Sequence, residues 1–457
     1  MFGKIKHIHL VGIGGTGMSG IAELLLNLGY RVSGSDISAS DVTQRLVGLG
    51  GRIAIGHDAK NLEGADVLVY SSAVKGENPE VTEAHRRGIP VISRAEMLSE
   101  LMRMKQGIAV GGAHGKTTTT WIIGLVMAAA GLDPTIIVGG RLKALGTNAK
   151  LGGGPYLVAE ADESDGSFLR LSPNLAVVTT VDEEHLDHYR DIDAIKTAFV
   201  DFLNKVPFYG AAIVCLDEEN IQSILPRVIR RVITYGFSQQ ADVRATEIAL
   251  DGQNVTFNVS LRQSKLGSVL LRIPGRHNVA NALAAVAVGL ELDIPFASIS
   301  EGISEFTGIS RRLEIRGEVR DILFMDDYAH HPTEVAATLE TVKSMWRRRV
   351  IAVFQPHRYS RTRALWERLG RSFYDADRVI VTSIYAAGEA PIPGVSADLV
   401  VNAALTSGHR DVNYLPEREQ VIDHLTKIVE PGDLVVTLGA GDVWKIGDEV
   451  MRRLGGD

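Results

Sequence analysis

The segment Ile108-Ala109-Val110-Gly111-Gly112-Ala113-His114-Gly115-Lys116-Thr117 leaves this chain few ways to fold. Its apolar start reads as a strand, its glycines as a tight turn, and the long apolar run after Thr117 as a helix. A strand that feeds a helix through a glycine turn calls for a parallel sheet with the turn at its carboxyl edge. There the backbone N–H groups and the helix N-terminus cradle phosphates, Lys116 neutralises the outer ones, and the Thr117 hydroxyl is placed for Mg²⁺. The loop is a variant, because the strict pattern has glycine where Val110 stands.

A second glycine turn, Gly12-Ile13-Gly14-Gly15-Thr16-Gly17, follows the apolar strand Ile5 to Val11. It opens a helix marked by Met18, Ile21, Leu24, Leu25 and Leu28. Asp36 lies nineteen residues beyond Gly17, after a short strand at Arg31 to Val32. This is the setting of a dinucleotide fingerprint, with Asp36 as an acceptor for a ribose hydroxyl. Any nucleoside diphosphate satisfies it, so the residues do not choose NAD; a plain tight turn is the bland alternative.

Strand–helix alternation continues along the chain, and 457 residues make about three domains. The expected architecture is α/β, three domains in series. Residues 1–104 form a Rossmann-like nucleotide-binding domain. Residues 105–308 form a central P-loop ATPase-like domain with strands at Tyr156 to Ala159, Leu175 to Thr180 and Ala211 to Leu216. Within it a small antiparallel insert spans about 242–273, where Val255 to Leu261 alternates with period two, and an Ala-rich helix runs from about Val279 to Leu290. Residues 309–457 form a C-terminal Rossmann-like domain with strands near 322–325, 350–354, 378–381 and 434–438.

Composition removes other classes. With 45% hydrophobic and 23% charged residues the chain is neither disordered nor fibrous. Its net charge of −7 argues against nucleic acid or a membrane surface as partner. The single cysteine, Cys215, excludes an internal disulfide and reads as a buried strand residue, not a nucleophile. The longest apolar run, Trp121 to Leu132, is 12 residues, where a bilayer span needs about 20. Lys4 and Lys6 before an apolar stretch hint at a leader, but glycines, His9 and Glu23 interrupt it, and a cytoplasmic protein is expected.

Two acidic clusters follow strands of the central unit: Glu160-Ala161-Asp162-Glu163-Ser164-Asp165 and Asp182-Glu183-Glu184-His185-Leu186-Asp187-His188. In a parallel sheet they share the edge of the phosphate loop, where carboxylates and an imidazole can hold Mg²⁺. Either cluster alone reads as a solvated loop. In the third unit, Asp326-Asp327-Tyr328-Ala329-His330-His331 and Gln355-Pro356-His357-Arg358-Tyr359-Ser360-Arg361 end two strands. Arg358 and Arg361 suit a carboxylate. A nucleotide loop, an ATP loop and a site for a small anion fit a three-substrate ligase. A dehydrogenase leaves Lys116 unexplained, and a nucleotide sensor leaves the other two sites idle.

At these residues the chain resembles the Mur ligase family, along essentially its whole length. Val11 to Ala22 looks like that family's opening UDP loop, and Gly34-Ser35-Asp36, His57, Ser71-Ser72-Ala73 and Asn78-Pro79-Glu80 are similar to its UDP-sugar domain. The family's phosphate loop is Gly-Thr-His-Gly-Lys-Thr-Thr-Thr; here Ala113 replaces the first threonine. The resemblance implies ATP-dependent ligation of L-alanine to the carboxylate of UDP-N-acetylmuramate through an acyl phosphate, with ATP and two Mg²⁺ as cofactors. It implies UDP-sugar contacts at Gly14, Gly15, Thr16, Gly17, Met18, Ser19, Asp36, His57, Ser71, Asn148 and Ser164. For ATP it implies Gly112, Ala113, His114, Gly115, Lys116, Thr117, Thr118, His277, Asn278, Asn281, Arg312 and Asp326 or Asp327. Metal ligands would be Thr117, Glu160 and His185, and the amino-acid pocket Tyr328, His330, His357, Arg358 and Arg361. Lys116, Arg312 and His330 would carry the chemistry, Arg312 reaching the γ-phosphate and His330 serving as base. Members adding later amino acids carry a carbamylated lysine beyond the His-Leu-Asp motif; Phe199 stands there, with Lys196 nearby, so none is expected. A ligase that recycles peptides onto the same sugar nucleotide is the second reading, a NAD-dependent oxidoreductase a distant third. Monomer and homodimer are both compatible with the sequence.

Overall fold

The computed structural model describes residues 4–71, 74, 77–138, 149–186 and 188–456. Asn148, with Ser72, Ala73 and Asp187, lies outside them. Three sheets follow one another along the chain. In the first, the strands Arg52–Ile55, Arg31–Asp36, His7–Val11, Val67–Tyr70 and Val91–Ser93 lie side by side, all parallel. The strand order reverses direction at His7–Val11, and the glycine turn at that strand's carboxyl end therefore sits at the switch point where such sheets bind nucleotides.

The central sheet places Gln106–Gly111 between Leu175–Val178 and Tyr156–Glu160. Both acidic clusters thus flank the phosphate loop on its own edge. Ala211–Cys215 and Val232–Gly236 extend the sheet in parallel, and the insert Val243–Asp251, Asn254–Leu261, Ser264–Leu271 continues it as an antiparallel meander. The third sheet runs Glu314–Val319, Ile322–Asp327, Asp433–Leu438, Arg349–Phe354, Arg378–Val381, Val412–Tyr414, parallel except for its first pair.

Several element ends differ from the sequence reading, each for a local reason. The strand expected at Arg31–Val32 runs to Asp36, because Ser33 and Ser35 are buried inside the sheet and interrupt the apolar pattern. The strand expected to reach Thr180 stops at Val178, and Thr179 and Thr180 turn to the phosphate loop. The Ala-rich helix starts earlier, at Arg276, so that His277 and Asn278 occupy its first turn.

Helix Lys116–Ala129 buries Trp121, Ile122, Ile123, Val126 and Met127 completely, each contributing about 1.5–3 kcal/mol. That burial anchors the phosphate loop on a rigid mount. The apolar core around it is continuous from Ile8 in the first sheet to Ile309 at the end of the central unit. The third sheet has separate cores on its two faces. Phe199 lies in the central core, edge-on to Phe168 at 5.4 Å. Cys215 is buried, which pushes its thiol up to about 12. Among the described residues no helix is long and apolar enough to cross a membrane.

Candidate active site

The phosphate loop is held from two sides. The Ala113 N–H donates to the Thr180 carbonyl at 3.0 Å and the His114 N–H to Thr180 Oγ1 at 2.9 Å. A Cβ on Gly112 (φ 131°) would stand 2.2 Å from Thr179 Oγ1, and one on Gly115 (φ 80°) 2.4 Å from Asn281 Oδ1. Neither position tolerates a side chain, which is why glycine appears at both. Asn281 also accepts from Thr119 Oγ1 at 3.2 Å and donates to Asn278 Oδ1 at 3.3 Å. Asn278 in turn donates to the Pro274 carbonyl at 2.6 Å. Both asparagines therefore brace the loop.

Lys116 Nζ donates to the Gly112 carbonyl at 2.7 Å and to both Glu163 oxygens at 2.8 and 2.9 Å. Burial would lower its pKa, but Glu163, Asp162 and Glu160 outweigh burial and hold the ammonium charged. Glu163 was not singled out in the sequence; the Tyr189 hydroxyl, donating to its carbonyl at 2.8 Å, fixes its backbone. Thr117 Oγ1 donates to Glu160 Oε2 at 3.0 Å, and His185 (φ 55°) brings Nε2 to 3.5 Å from Glu163 Oε1. The expected metal ligands thus converge beside the lysine.

The third unit closes over this edge. His114 lies between Asp182 (Nε2, 3.4 Å) and Glu334 (Nδ1, 3.3 Å). Burial would lower its pKa, yet these two carboxylates raise it to about 9. His114, Asp182 and His331 gather ligand atoms within 4.8 Å of one another. Glu334 pairs also with Arg312 (3.2 Å) and accepts from the His330 N–H (3.2 Å). It was missed in the sequence, although an acid four residues after His330 at a helix start is a readable signal. The cluster Asp182-Glu183-Glu184 likewise faces the third unit. Thr333 Oγ1 donates to Asp182 at 2.6 Å, Arg368 to Asp182 and Glu183 at 3.2 and 3.0 Å, and Arg361 to Glu184 at 2.8 Å. Arg361 and Arg368 stand two helical turns apart on one face, a spacing that also marks the missed Arg368.

A cavity of about 990 Å³ joins Lys116, Glu160, His277, Arg312, Asp327 and Arg361. Of the two aspartates proposed for ATP, only Asp327 lines it. Asp326 is buried on Arg311 Nε (2.8 Å) and Thr437 Oγ1 (2.6 Å). Burial raises the Asp327 carboxyl to about 6. His277 and His330 both fall to about 4, chiefly through burial and then through Arg312 and Arg361 respectively. His330 meets the His357 ring edge-on at 5.5 Å, and His357 stacks on Tyr385. Tyr328, His357 and Arg358 lie outside the cavity lining.

The UDP-sugar set lies apart, at the seam of the first and central units. Asp36 Oδ2 accepts the Gly14 N–H at 2.8 Å, and the acid therefore holds the loop itself. Met18 and Ser19 are buried on the inner side of the helix, so neither side chain faces outward. Ser71 follows the fourth strand, its N–H on the Val11 carbonyl at 3.3 Å. His57 bonds to Ser35 Oγ (2.9 Å) and lies 3.2 Å from Glu80, a fully buried carboxylate that also accepts from Ser35 and Asn61. Burial would raise Glu80, but His9, Ser35 and Asn61 hold it down to about 2. Arg94, unread in the sequence, reaches over Gly17 and sits 3.8 Å from Asp162, in a cavity of about 270 Å³ shared with Tyr70, Asp165 and Arg170. The Ser164 N–H bonds to Asp162 Oδ1 at 3.1 Å near the same seam.

The sequence matches the Mur ligase family, catalytic domain, over residues 7–106, the Mur ligase middle domain over 110–289, and the Mur ligase, glutamate ligase domain over 311–441. It is 60% identical over 454 residues to a UDP-N-acetylmuramate–L-alanine ligase of Syntrophotalea carbinolica, covering 99% of each chain. A protein of the same name from Geotalea uraniireducens is 56% identical over 457 residues, covering 100% of both. Among solved structures, the UDP-N-acetylmuramate–alanine ligase of Thermotoga maritima superposes with a TM-score of 0.79 at 27% identity, covering 98% of this chain and 99% of that one. A murein peptide ligase from Psychrobacter arcticus gives 0.70 at 26%, covering 99% of each.

Proposed function

The chain belongs to the Mur ligase family, and from that premise we infer that it joins L-alanine to the carboxylate of UDP-N-acetylmuramate at the expense of ATP. The observation that carries this reading is the match along the whole chain, 60% identical over 454 residues, to a relative of that activity. The units 1–104, 105–308 and 309–457 each bring one substrate.

A carboxylate does not acylate an amine at neutral pH, because the leaving group would be oxide. Transfer of the γ-phosphoryl group from ATP to a carboxylate oxygen gives an acyl phosphate and ADP; the amine then attacks the acyl carbon and phosphate leaves. Lys116, charged and buried, meets the phosphate oxygens, and Arg312 adds a second cation from the third unit. Thr117, Glu160 and His185 offer a hydroxyl, a carboxylate and an imidazole on one edge of the cavity. Those residues would hold Mg²⁺, whose charge would offset repulsion between the two anionic reactants. His277, Asn278, Asn281 and Asp327 border the remainder of the nucleotide site. His330, lowered to about 4 chiefly by burial, offers an unprotonated imidazole that can accept the amine's proton. Water would hydrolyse the acyl phosphate, so the third unit's closure over the loop protects it. At the other seam Gly14, Gly15, Gly17, Asp36, His57, Ser71 and Ser164 receive the UDP-sugar. With ATP and a sugar nucleotide as substrates, the reaction belongs in the cytoplasm.

The test is phosphate release from ATP, Mg²⁺ and UDP-N-acetylmuramate with and without L-alanine, the product read by mass spectrometry. Alanine-dependent release with an alanyl adduct is expected. Release with a tripeptide and not with alanine would transfer the assignment to peptide recycling, and silence with both would refute the ligase reading.

A further inference from the structure

Three ion pairs tie the acidic segment Asp182-Glu183-Glu184 to helix Tyr359–Gly370, and they are of two kinds. Arg368, with Asp182 and Glu183, forms an outer clamp whose arginine is 41% exposed. Glu184 and Arg361 form an inner pair, 7% and 12% exposed, whose nitrogen and oxygen lie 2.8 Å apart. The inner pair lines the main cavity together with His185, His330 and Lys116, while Arg368 does not. The clamp holds without the inner pair, since Thr333 Oγ1 also binds Asp182 across the seam.

A buried ion pair contributes little net stability, because desolvation of both groups offsets their attraction. Facing a cavity, such a pair can exchange partners with a molecule that carries both charges. An α-amino acid does so, with its ammonium and carboxylate on one carbon. Inserted between Glu184 and Arg361, it leaves the buried charge balance unchanged, and each group exchanges one charge-assisted bond for another. We propose that Glu184 is a recognition residue for the incoming amino acid, receiving its α-ammonium while Arg361 receives its α-carboxylate. The inference rests on the reading of the third substrate as an amino acid and adds the cationic half of its binding site.

The test is steady-state phosphate release by the full chain with ATP, Mg²⁺ and UDP-N-acetylmuramate. Loss of one charge-assisted bond predicts that Glu184→Gln raises KM for L-alanine by about 100-fold, with KM for ATP and the sugar nucleotide within about threefold. Glu184→Asp, which keeps the carboxylate, recovers most of that loss. Arg361→Met raises KM for L-alanine but not for L-alaninamide, which lacks the carboxylate. Arg368→Met, on the outer clamp, moves all three KM values together. The proposal is overturned if Glu184→Gln gives the uniform Arg368→Met pattern, which marks a clamp alone, or if Glu184→Asp behaves as Glu184→Gln. Absence of alanine-dependent release by the unaltered protein would overturn the ligase reading itself and this proposal with it.

Discussion

The chain has two glycine turns of the same construction, each between a buried strand and a helix, and they differ in charge. The turn at Gly12–Gly17 contains no cation, and an anion, Asp36, already bonds to its Gly14 amide. The turn at Gly112–Gly115 leads into Lys116, whose ammonium is neutralised by Glu163 until a ligand arrives. The first is completed within its own unit, by Asp36 and by the buried Glu80 network beneath it. The second is completed only at the seam, where Glu334 of the third unit reaches His114. Backbone geometry alone therefore yields a cradle; the side chains that close it set its charge.

Variants that interchange these properties should separate the two loops. Lys116→Met is expected to have the largest effect, reducing kcat by about 10³-fold, as removal of a cation on a transferring phosphoryl group does. It also leaves Glu163 buried without its partner, at a cost of about 3–5 kcal/mol in urea denaturation. Adding Glu163→Gln should recover that stability without recovering turnover, which separates the lysine's structural role from its catalytic one. Arg312→Ala follows, with kcat lowered by about 10²-fold in the same release assay; an unchanged kcat would remove Arg312 from the chemistry. At the first loop, Asp36→Ala frees the Gly14 amide that Asp36 holds in place and should raise KM for UDP-N-acetylmuramate by about tenfold, leaving KM for ATP unchanged.

The smallest effect is a contrast in pH. Glu80 is depressed from about 4.5 to about 2, so its contribution is present above pH 4.5 and is lost as pH falls toward 2. His114 is raised from 6.5 to about 9, so its contribution is complete below pH 6.5 and is lost as pH rises through 9. Hydrogen exchange should show the first loop's supporting strands loosening in acid and the seam between Asp182 and Glu334 loosening in alkali. Loosening of both at the same end of the scale would contradict the contrast.

What the sequence made legible was whatever lies close together in the chain. The glycine turns, the period-two insert and the acidic ends of strands are local patterns, and each is found at its place in the sheets. Partnerships formed across the seam had no such mark. Asp182 and Glu184 read as solvated acids or metal ligands, because the residues that neutralise them, Arg368 and Arg361, lie far along the chain. Glu163 was hidden among other acids, and only the fold shows that it, and not Asp162, grips Lys116. Asp326 and Asp327 are neighbours with the same side chain; the strand's alternation sends one into the third unit's interior and the other to the cavity.

The unbroken apolar core from Ile8 to Ile309 bears on how the molecule comes apart. Sheets that share a core lose it together, so the first two belong to one cooperative block, while the third, with its own cores, forms another. Three sheets thus amount to two thermodynamic bodies. A calorimetric scan should resolve two transitions, the larger one carrying both glycine loops, and the joint between the blocks falls between Ile309 and the first strand of the third sheet at Glu314.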